Sequence, residues 1–169
     1  GRCLRIGSAG KTFSLTGWKV GYVTAPAALL EPVARAHQYL TFATPPHLQA
    51  AVAFGLGLED SYFHGLQATL QHNRDQLADG LRELGFSVLD CSATFFLCVE
   101  IGGLDRDGDD FAFCRRLVAE SGVAAVPVSS FYAERDMTSL IRLCFAKRLP
   151  LLHDALERLA DWRNRDGRP

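Results

Sequence analysis

Methionine is almost absent from these 169 residues: Met137 is the only one, so residue 1 is not an initiator. Lysine is nearly as scarce, with Lys11, Lys19 and Lys147 set against 15 arginines. No apolar run reaches the roughly 18 residues that a transmembrane helix needs, and no basic-then-apolar opening points to a secretory signal. Long single-sign charge runs are missing and the net charge is -1, so nucleic acid and membrane surfaces are poor candidate partners. Five cysteines without a C-x-x-C pair argue for reduced buried thiols and against a disulfide framework. Five histidines without H-x-x-x-H spacing give no metal site. What remains is a soluble, cytoplasmic chain with 48% hydrophobic and 22% charged residues.

The pattern that is present alternates short apolar runs with amphipathic stretches. Residues 1–6 read as a strand already running, without cap or turn before it, which points to a fragment. The strand leads into a small-residue loop over 7–11, and alternation predicts a second strand over 18–24. Pro26 opens a predicted helix to about residue 40, with Leu29, Val33, Ala36 and Leu40 on one face; Pro32 is tolerable there only in the first turn. A further helix follows Thr44-Pro45-Pro46 to about residue 58. Leu66, Leu70, Leu77, Leu81 and Leu84 predict a long helix over 60–84, ended by Gly85. Strands over 86–89, 94–101, 123–128 and 140–146 then surround a helix that Asp109 caps and Gly122 ends. Pro150 starts a last amphipathic helix, and 163–169 read as a frayed polar tail. Residues 1–73 thus look like the end of one α/β lobe, and 74–169 like an α+β lobe.

Two motifs invite chemistry and fail on spacing. Gly10-Lys11-Thr12 lacks the upstream glycine in register that a P-loop requires. Asp105-Arg106-Asp107-Gly108-Asp109 resembles a calcium loop, but Asp110 stands where that loop needs glycine and Arg116 where it needs glutamate. A solvated turn plus an N-cap accounts for it. Small residues, the Ser8 hydroxyl and a lysine after a strand can still hold a phosphate. Taken alone, Lys11 reads as a solvated turn lysine and Arg142 as a strand arginine in a surface ion pair. The apolar neighbours of Arg142 nevertheless indicate a half-buried strand, where an arginine needs an anion.

Ser8-Ala9-Gly10-Lys11-Thr12-Phe13-Ser14-Leu15-Thr16-Gly17-Trp18-Lys19-Val20-Gly21-Tyr22 resembles the cofactor-lysine segment of fold-type I, pyridoxal-phosphate-dependent class I aminotransferases. The likeness is to the subgroup of kynurenine aminotransferases, glutamine transaminase K and methionine aminotransferases, with its S-x-x-K-T-F-S-x-T-G-W-K-x-G. His37-Gln38-Tyr39-Leu40-Thr41-Phe42, Ala43-Thr44-Pro45, Gly122-Val123-Ala124-Ala125-Val126-Pro127 and Ile141-Arg142-Leu143-Cys144-Phe145-Ala146-Lys147 resemble later segments of the same subgroup. The resemblance implies an α/β fold class: the C-terminal part of a pyridoxal-phosphate-dependent transferase fold. Residues 1–73 would end the large cofactor-binding domain, and 74–169 would form the small C-terminal α+β domain.

By this resemblance Lys11 matches the lysine that forms the Schiff base with pyridoxal 5'-phosphate, and its freed amine would carry a proton as base and then acid. Ser8 and Lys19 match ligands of the cofactor phosphate, Lys19 acting as a point charge where many relatives use arginine. Arg142 matches the arginine that holds the substrate α-carboxylate, for which a guanidinium fork is well suited. Phe42 matches an aromatic inserted into the neighbouring subunit's substrate pocket, although a packed helix-end phenylalanine explains it equally. Ser130, Phe131 and Tyr132 fall near the site by the same likeness, with core packing as the alternative. The implied parent is a homodimeric aminotransferase acting on an aromatic or sulfur-bearing L-amino acid and a 2-oxo acid. A cysteine-S-conjugate β-lyase and an inactive truncated remnant are the alternatives. No position matches the family's aspartate at the pyridinium nitrogen, so the isolated chain is expected to be inactive.

Overall fold

Tyr22, Val23 and Thr24 favour an extended chain, and with Ile6 they build a ribbon. In the computed structural model, which describes residues 2–104, 108–134 and 136–166, strands β1 (Arg5–Ser8) and β2 (Gly21–Thr24) pair antiparallel with Ser8 opposite Gly21. Gly7 lies opposite Tyr22, and a Cβ there would sit 2.2 Å from the tyrosine ring, so any larger residue would have to push the ring aside. The strand predicted over 1–6 therefore lies later in the chain, and Gly1 falls outside the described residues. The predicted loop closes as one helical turn, α1 (Ala9–Thr12). A 3₁₀ turn over Thr16–Trp18 and a left-handed Lys19 (φ 55°) delay β2 to Gly21.

Two helices complete the first unit, which runs from Gly1 to Tyr62. Helix α2 (Ala27–Leu40) follows Pro26 as predicted, but Pro32 is its sixth residue and lies in the helix interior. The bond that Pro32 cannot donate would have gone to Ala28, which is solvent-exposed, so water can satisfy that carbonyl. No residue of α2 is buried: Tyr39 is 88% exposed and Leu40 82%. The apolar face predicted for this helix is therefore not covered within the described residues. Helix α3 (Pro46–Leu56) begins on its proline and contributes Val52 to a small core with Ala9 and Val20, flanked by Phe13, Leu15 and Leu48.

The long leucine repeat forms helix α4 (Asp60–Glu83). Gly85 stops it in the left-handed region (φ 80°), with Gly85 N–H donating to Arg82 O and Phe86 N–H to Leu81 O. These are the two bonds of a Schellman end. The second unit, Phe63 to Pro169, is built on an antiparallel sheet. Its strands are β3 (Ser87–Val88), β4 (Phe96–Glu100), β5 (Val126–Pro127) and β6 (Leu140–Cys144), in the order β3-β4-β6-β5. All are shorter than the sequence predicts. A left-handed Thr94 (φ 70°) bends the chain before β4 can start.

Alternation sorts the sheet faces. Leu97, Val99, Ile141 and Leu143 are buried in one core with Leu77 and Leu81 of α4, Phe113 and Leu117 of helix α5 (Asp110–Ser121), and Leu152, Leu159 and Trp162 of helix α6 (Leu149–Asp166). The Asp109 carboxylate accepts from the N–H groups of Phe111 and Ala112, making it the N-cap that the sequence predicts, and Gly122 (φ 74°) ends α5. Asp105, Arg106 and Asp107 of the rejected calcium loop lie outside the described residues. The predicted frayed tail is helical through residue 166. Trp162 Nε1 donates to Glu120 Oε2 (2.6 Å) and Arg165 Nη2 to Glu120 O (3.1 Å), which tie the end of α6 to α5. Residues 167–169 of that tail lie outside the described residues. None of the described helices is long and apolar enough to cross a membrane.

Candidate active site

The ribbon brings three of the sequence-predicted residues to one end. Ser8 closes β1, Lys11 stands in α1, and Lys19 precedes β2, with Ala9 N–H donating to Val20 O (3.1 Å) across the junction. All three side chains are on exposed residues, whereas Ala9 and Gly10 beneath them are buried. Ser8 occupies the N-cap position of α1 without a capping bond from its hydroxyl. Among the described residues, neither Ser8 Oγ nor Lys19 Nζ has an intramolecular partner.

The turn that carries Lys11 is held from several sides. Gly10 O accepts from Leu15 N–H (2.9 Å) and from Thr16 Oγ1 (3.2 Å). A Cβ on Gly10 would come within 3.2 Å of Thr16 Cα, so a larger residue would push this closure open. The Tyr62 hydroxyl donates to Thr12 O (3.0 Å), and its ring stacks on Phe13 at 5.9 Å. A Cβ on Gly55 would lie 3.0 Å from the Phe13 ring. An exposed amine on a turn braced by a stacked pair is well placed to act at a fixed point.

Arg142 belongs to the second unit, on the sheet face away from the core, opposite Cys98 of β4 and Val126 of β5. Its guanidinium carbon lies 4.0 Å from the Phe96 ring centre and 4.5 Å from that of Phe131. The cation thus lies in contact with two phenylalanine rings, a contact that a flat guanidinium makes better than an ammonium. Arg142 Nε is buried without a hydrogen-bond partner, and among the described residues no carboxylate pairs with this arginine. A half-buried cation with an orphaned donor and no carboxylate partner among the described residues is suited to receive an external anion.

Phe42 follows the end of α2, where Thr41 N–H donates to His37 O. Phe42 is 79% exposed and takes a left-handed backbone (φ 64°), which a bulky residue adopts only under constraint. Ser130 and Tyr132 flank Phe131, with Ser130 Oγ donating to Pro127 O (2.7 Å). Phe131 itself is an open jaw on Arg142 and not a core residue.

Sequence reasoning misses three residues here. Phe96 follows another phenylalanine in an apolar run and reads as core; only the burial of Leu97 and Val99 shows that it faces the other way. Asp110 and Ser129 are both fully buried and bonded to each other, 19 positions apart. The available signal is a second aspartate directly after an N-cap aspartate, with no solvent role to fill. One titrating group nearby is perturbed. Burial, and secondarily the Asp110 carboxylate one turn away, push the Cys114 thiol up to about 11. Among the described residues no cluster of His, Cys, Asp and Glu is placed to hold a metal ion.

Residues 3–159 match the family model for aminotransferase class I and II. Among curated proteins, the chain is 41% identical to the methionine aminotransferase of Escherichia coli, covering 94% of this chain and 41% of that protein. It is 34% identical to kynurenine–oxoglutarate transaminase 1 of Mus musculus, over 96% of this chain and 43% of that one. Among solved structures, the N-succinyldiaminopimelate aminotransferase of Mycobacterium tuberculosis matches with a TM-score of 0.86 at 40% identity, covering 95% of this chain and 42% of that one. The Escherichia coli methionine aminotransferase structure gives 0.88 at 41% identity, with the same coverage. The chain therefore spans about two-fifths of the length of the relatives it matches. By its family model and its fold, the chain belongs to the class I and II aminotransferases, whose members depend on pyridoxal phosphate.

Proposed function

We propose that this chain carries the cofactor lysine, Lys11, and the substrate-carboxylate arginine, Arg142, of a pyridoxal-phosphate-dependent aminotransferase. The whole enzyme would move an amino group from an L-amino acid, aromatic or sulfur-bearing like those named for its methionine and kynurenine relatives, to a 2-oxo acid. The observation that carries the reading is Arg142, in cation–π contact with Phe96 and Phe131, with an orphaned Nε and no carboxylate partner among the described residues. Every amino-acid and 2-oxo-acid substrate brings the planar carboxylate that such a fork accepts in its own plane.

The residues of the ribbon end fit the cofactor. Ser8 Oγ and Lys19 Nζ are uncommitted at the end that also bears Lys11, a donor set suited to a phosphate monoester. When bound, pyridoxal phosphate supplies an electron sink for the charge that develops at the substrate α-carbon. Ser8 and Lys19 would hold the phosphate by a hydroxyl donor and a point charge. Lys11 Nζ would take the proton from the α-carbon of the amino donor as general base and then give a proton back as general acid. Arg142 would hold the carboxylate of donor and acceptor in turn, since both substrates present the same group.

Phe42, exposed on a constrained backbone, supports a role at a neighbouring subunit of a homodimer, where a large apolar side chain would favour apolar or sulfur-bearing substrates. Residues 1–73 would be the end of the large cofactor domain and 74–169 the small domain. Free cysteines throughout the described residues support a reducing, cytoplasmic setting.

The test is borohydride reduction of the whole enzyme with bound cofactor, followed by peptide mapping, then assay with methionine and a 2-oxo acid. Label on Lys11 with formation of a new amino acid is the expected result. Label on Lys19 or Lys147 would overturn the residue assignment. Pyruvate released from a cysteine S-conjugate, with no amino-acid product from any donor, would replace transfer by β-elimination.

A further inference from the structure

The two jaws on Arg142 are held by different means. Phe96 is part of β4, locked in the ladder opposite Cys144. Phe131 is 60% exposed and closes a 3₁₀ turn, Val128–Phe131, so little packing fixes its ring and the backbone of the turn must do so. That backbone is gripped at one point from outside. The carboxylate of Asp110, in the first turn of α5, is fully buried and takes Ser129 N–H on Oδ2 (2.7 Å) and Ser129 Oγ–H on Oδ1 (2.7 Å). Both oxygens on one residue fix its orientation as well as its position. The turn is closed further by Tyr132 N–H on Ser129 O (3.1 Å) and Ser130 Oγ on Pro127 O.

We propose that Asp110 is a positioning residue for substrate-carboxylate binding: through Ser129 it sets the turn that lays Phe131 on Arg142. The inference rests on Arg142 being the carboxylate site. Two ring contacts restrain the guanidinium, and a carboxylate meets such a fork in its own plane. An arginine loses much rotamer freedom when it binds, and a jaw that restrains it beforehand removes part of that loss. Releasing the jaw leaves the charge in place but returns the freedom, so carboxylate affinity falls without loss of the cation.

The test uses the whole enzyme with cofactor bound and 3-phenylpropionate, a carboxylate lacking the amino group, as the probe. Ser129→Ala is expected to weaken probe binding about 3- to 10-fold, the size of one cation–π contact, and Phe131→Leu by a similar factor. KM should rise equally for amino donor and 2-oxo acid, because both use Arg142, while kcat and cofactor affinity change less than twofold. The decisive measurement is the double variant. If Ser129 acts through Phe131, Ser129→Ala adds nothing to Phe131→Leu; a full multiplication of the two effects would overturn the proposal. So would an unchanged probe affinity in Ser129→Ala, or equal loss of cofactor and probe affinity. Asp110→Asn is expected to behave as Ser129→Ala where it folds, and the serine variant decides the question where it does not. Arg142→Lys separates the two layers. If it leaves probe affinity unchanged, the Arg142 reading and the proposal both fall; if it weakens binding while Ser129→Ala does not, only the positioning role falls.

Discussion

Replacing Asn73 tests whether the end of the Arg142 strand is held by a donor from α4. Asn73 is buried, and its Nδ2 donates to Lys147 O (2.8 Å) and Phe145 O (3.3 Å), five and three residues beyond Arg142. Phe145 O also accepts from Lys147 N–H (2.8 Å), so removing the amide leaves that carbonyl with a partner. Lys147 lies on an exposed residue, where water can reach its carbonyl. Asn73→Ala should therefore cost about 1–2 kcal/mol, below the full penalty for two orphaned acceptors. Asn73→Asp keeps the shape but points a carboxylate at two carbonyl oxygens. It should cost more than the alanine variant near pH 7, by about 1 kcal/mol or more, despite losing no volume. Its penalty should shrink as pH falls and the acid becomes a donor. Urea unfolding of the whole protein at pH 7 and pH 5 measures both. An aspartate variant as stable as the alanine variant at pH 7 would refute the donor assignment.

Four shorter predictions follow from other parts of the chain. Because the Cys114 thiol is raised from 9.0 to about 11, the unfolded thiol ionises first; stability is intact below pH 9 and falls between pH 9 and 11. That loss amounts to roughly 2 kcal/mol, is absent in Cys114→Ala, and is checked by unfolding across that window. Exposed Cys3 should react with iodoacetamide at pH 8, and Cys114 should not, as read by peptide mass. Gly65 has open space around a built Cβ, so Gly65→Ala should gain about 0.5–1 kcal/mol of helix stability. At Gly80 a Cβ would lie 2.5 Å from Leu156 Cδ1, so Gly80→Ala should fall below Gly65→Ala by at least about 1 kcal/mol in urea midpoints. The 169-residue chain alone exposes Tyr39, Leu40 and Phe42 together and should self-associate; a monodisperse monomer in sedimentation would contradict this.

How much was readable in the sequence depends on how local each cause is. Gly85, Gly122 and Asp109 end or start helices through bonds spanning a few residues, and their chemistry is visible in a window of that size. The ends of the strands were not, because Thr94 and Lys19 take left-handed conformations that neither residue advertises. Pro32 breaks the local rule outright; its helix tolerates it because the freed carbonyl faces water, a tertiary circumstance. The leucines of α4 forecast the core well, since Leu77 and Leu81 are buried, whereas the face of α2 had the same spacing and is uncovered here. Periodicity reports which side is apolar, not whether anything packs on it.

The same distinction divides the candidate site. Ser8, Lys11 and Lys19 reach one ribbon end because a contiguous stretch folds back on itself, so a linear motif is enough to single them out. The surroundings of Arg142 are assembled from β4, β6, a 3₁₀ turn and the start of α5, and no linear spacing links them. Phe96 reads as core in the sequence, Phe131 is placed near the site only by resemblance with core packing as its alternative, and the group steadying that jaw is an aspartate that reads as surplus to an N-cap. The division has a chemical reason. A cofactor phosphate can be met by main-chain turns and short side chains from one loop, whereas a carboxylate must be met in a plane by a long, flexible arginine. Restraining that arginine takes contacts from more than one ring, which here come from separate elements. Substitutions that tune carboxylate affinity should therefore be scattered along the chain, at positions such as Phe96, Asp110 and Ser129, while those that tune cofactor binding cluster between Ser8 and Lys19.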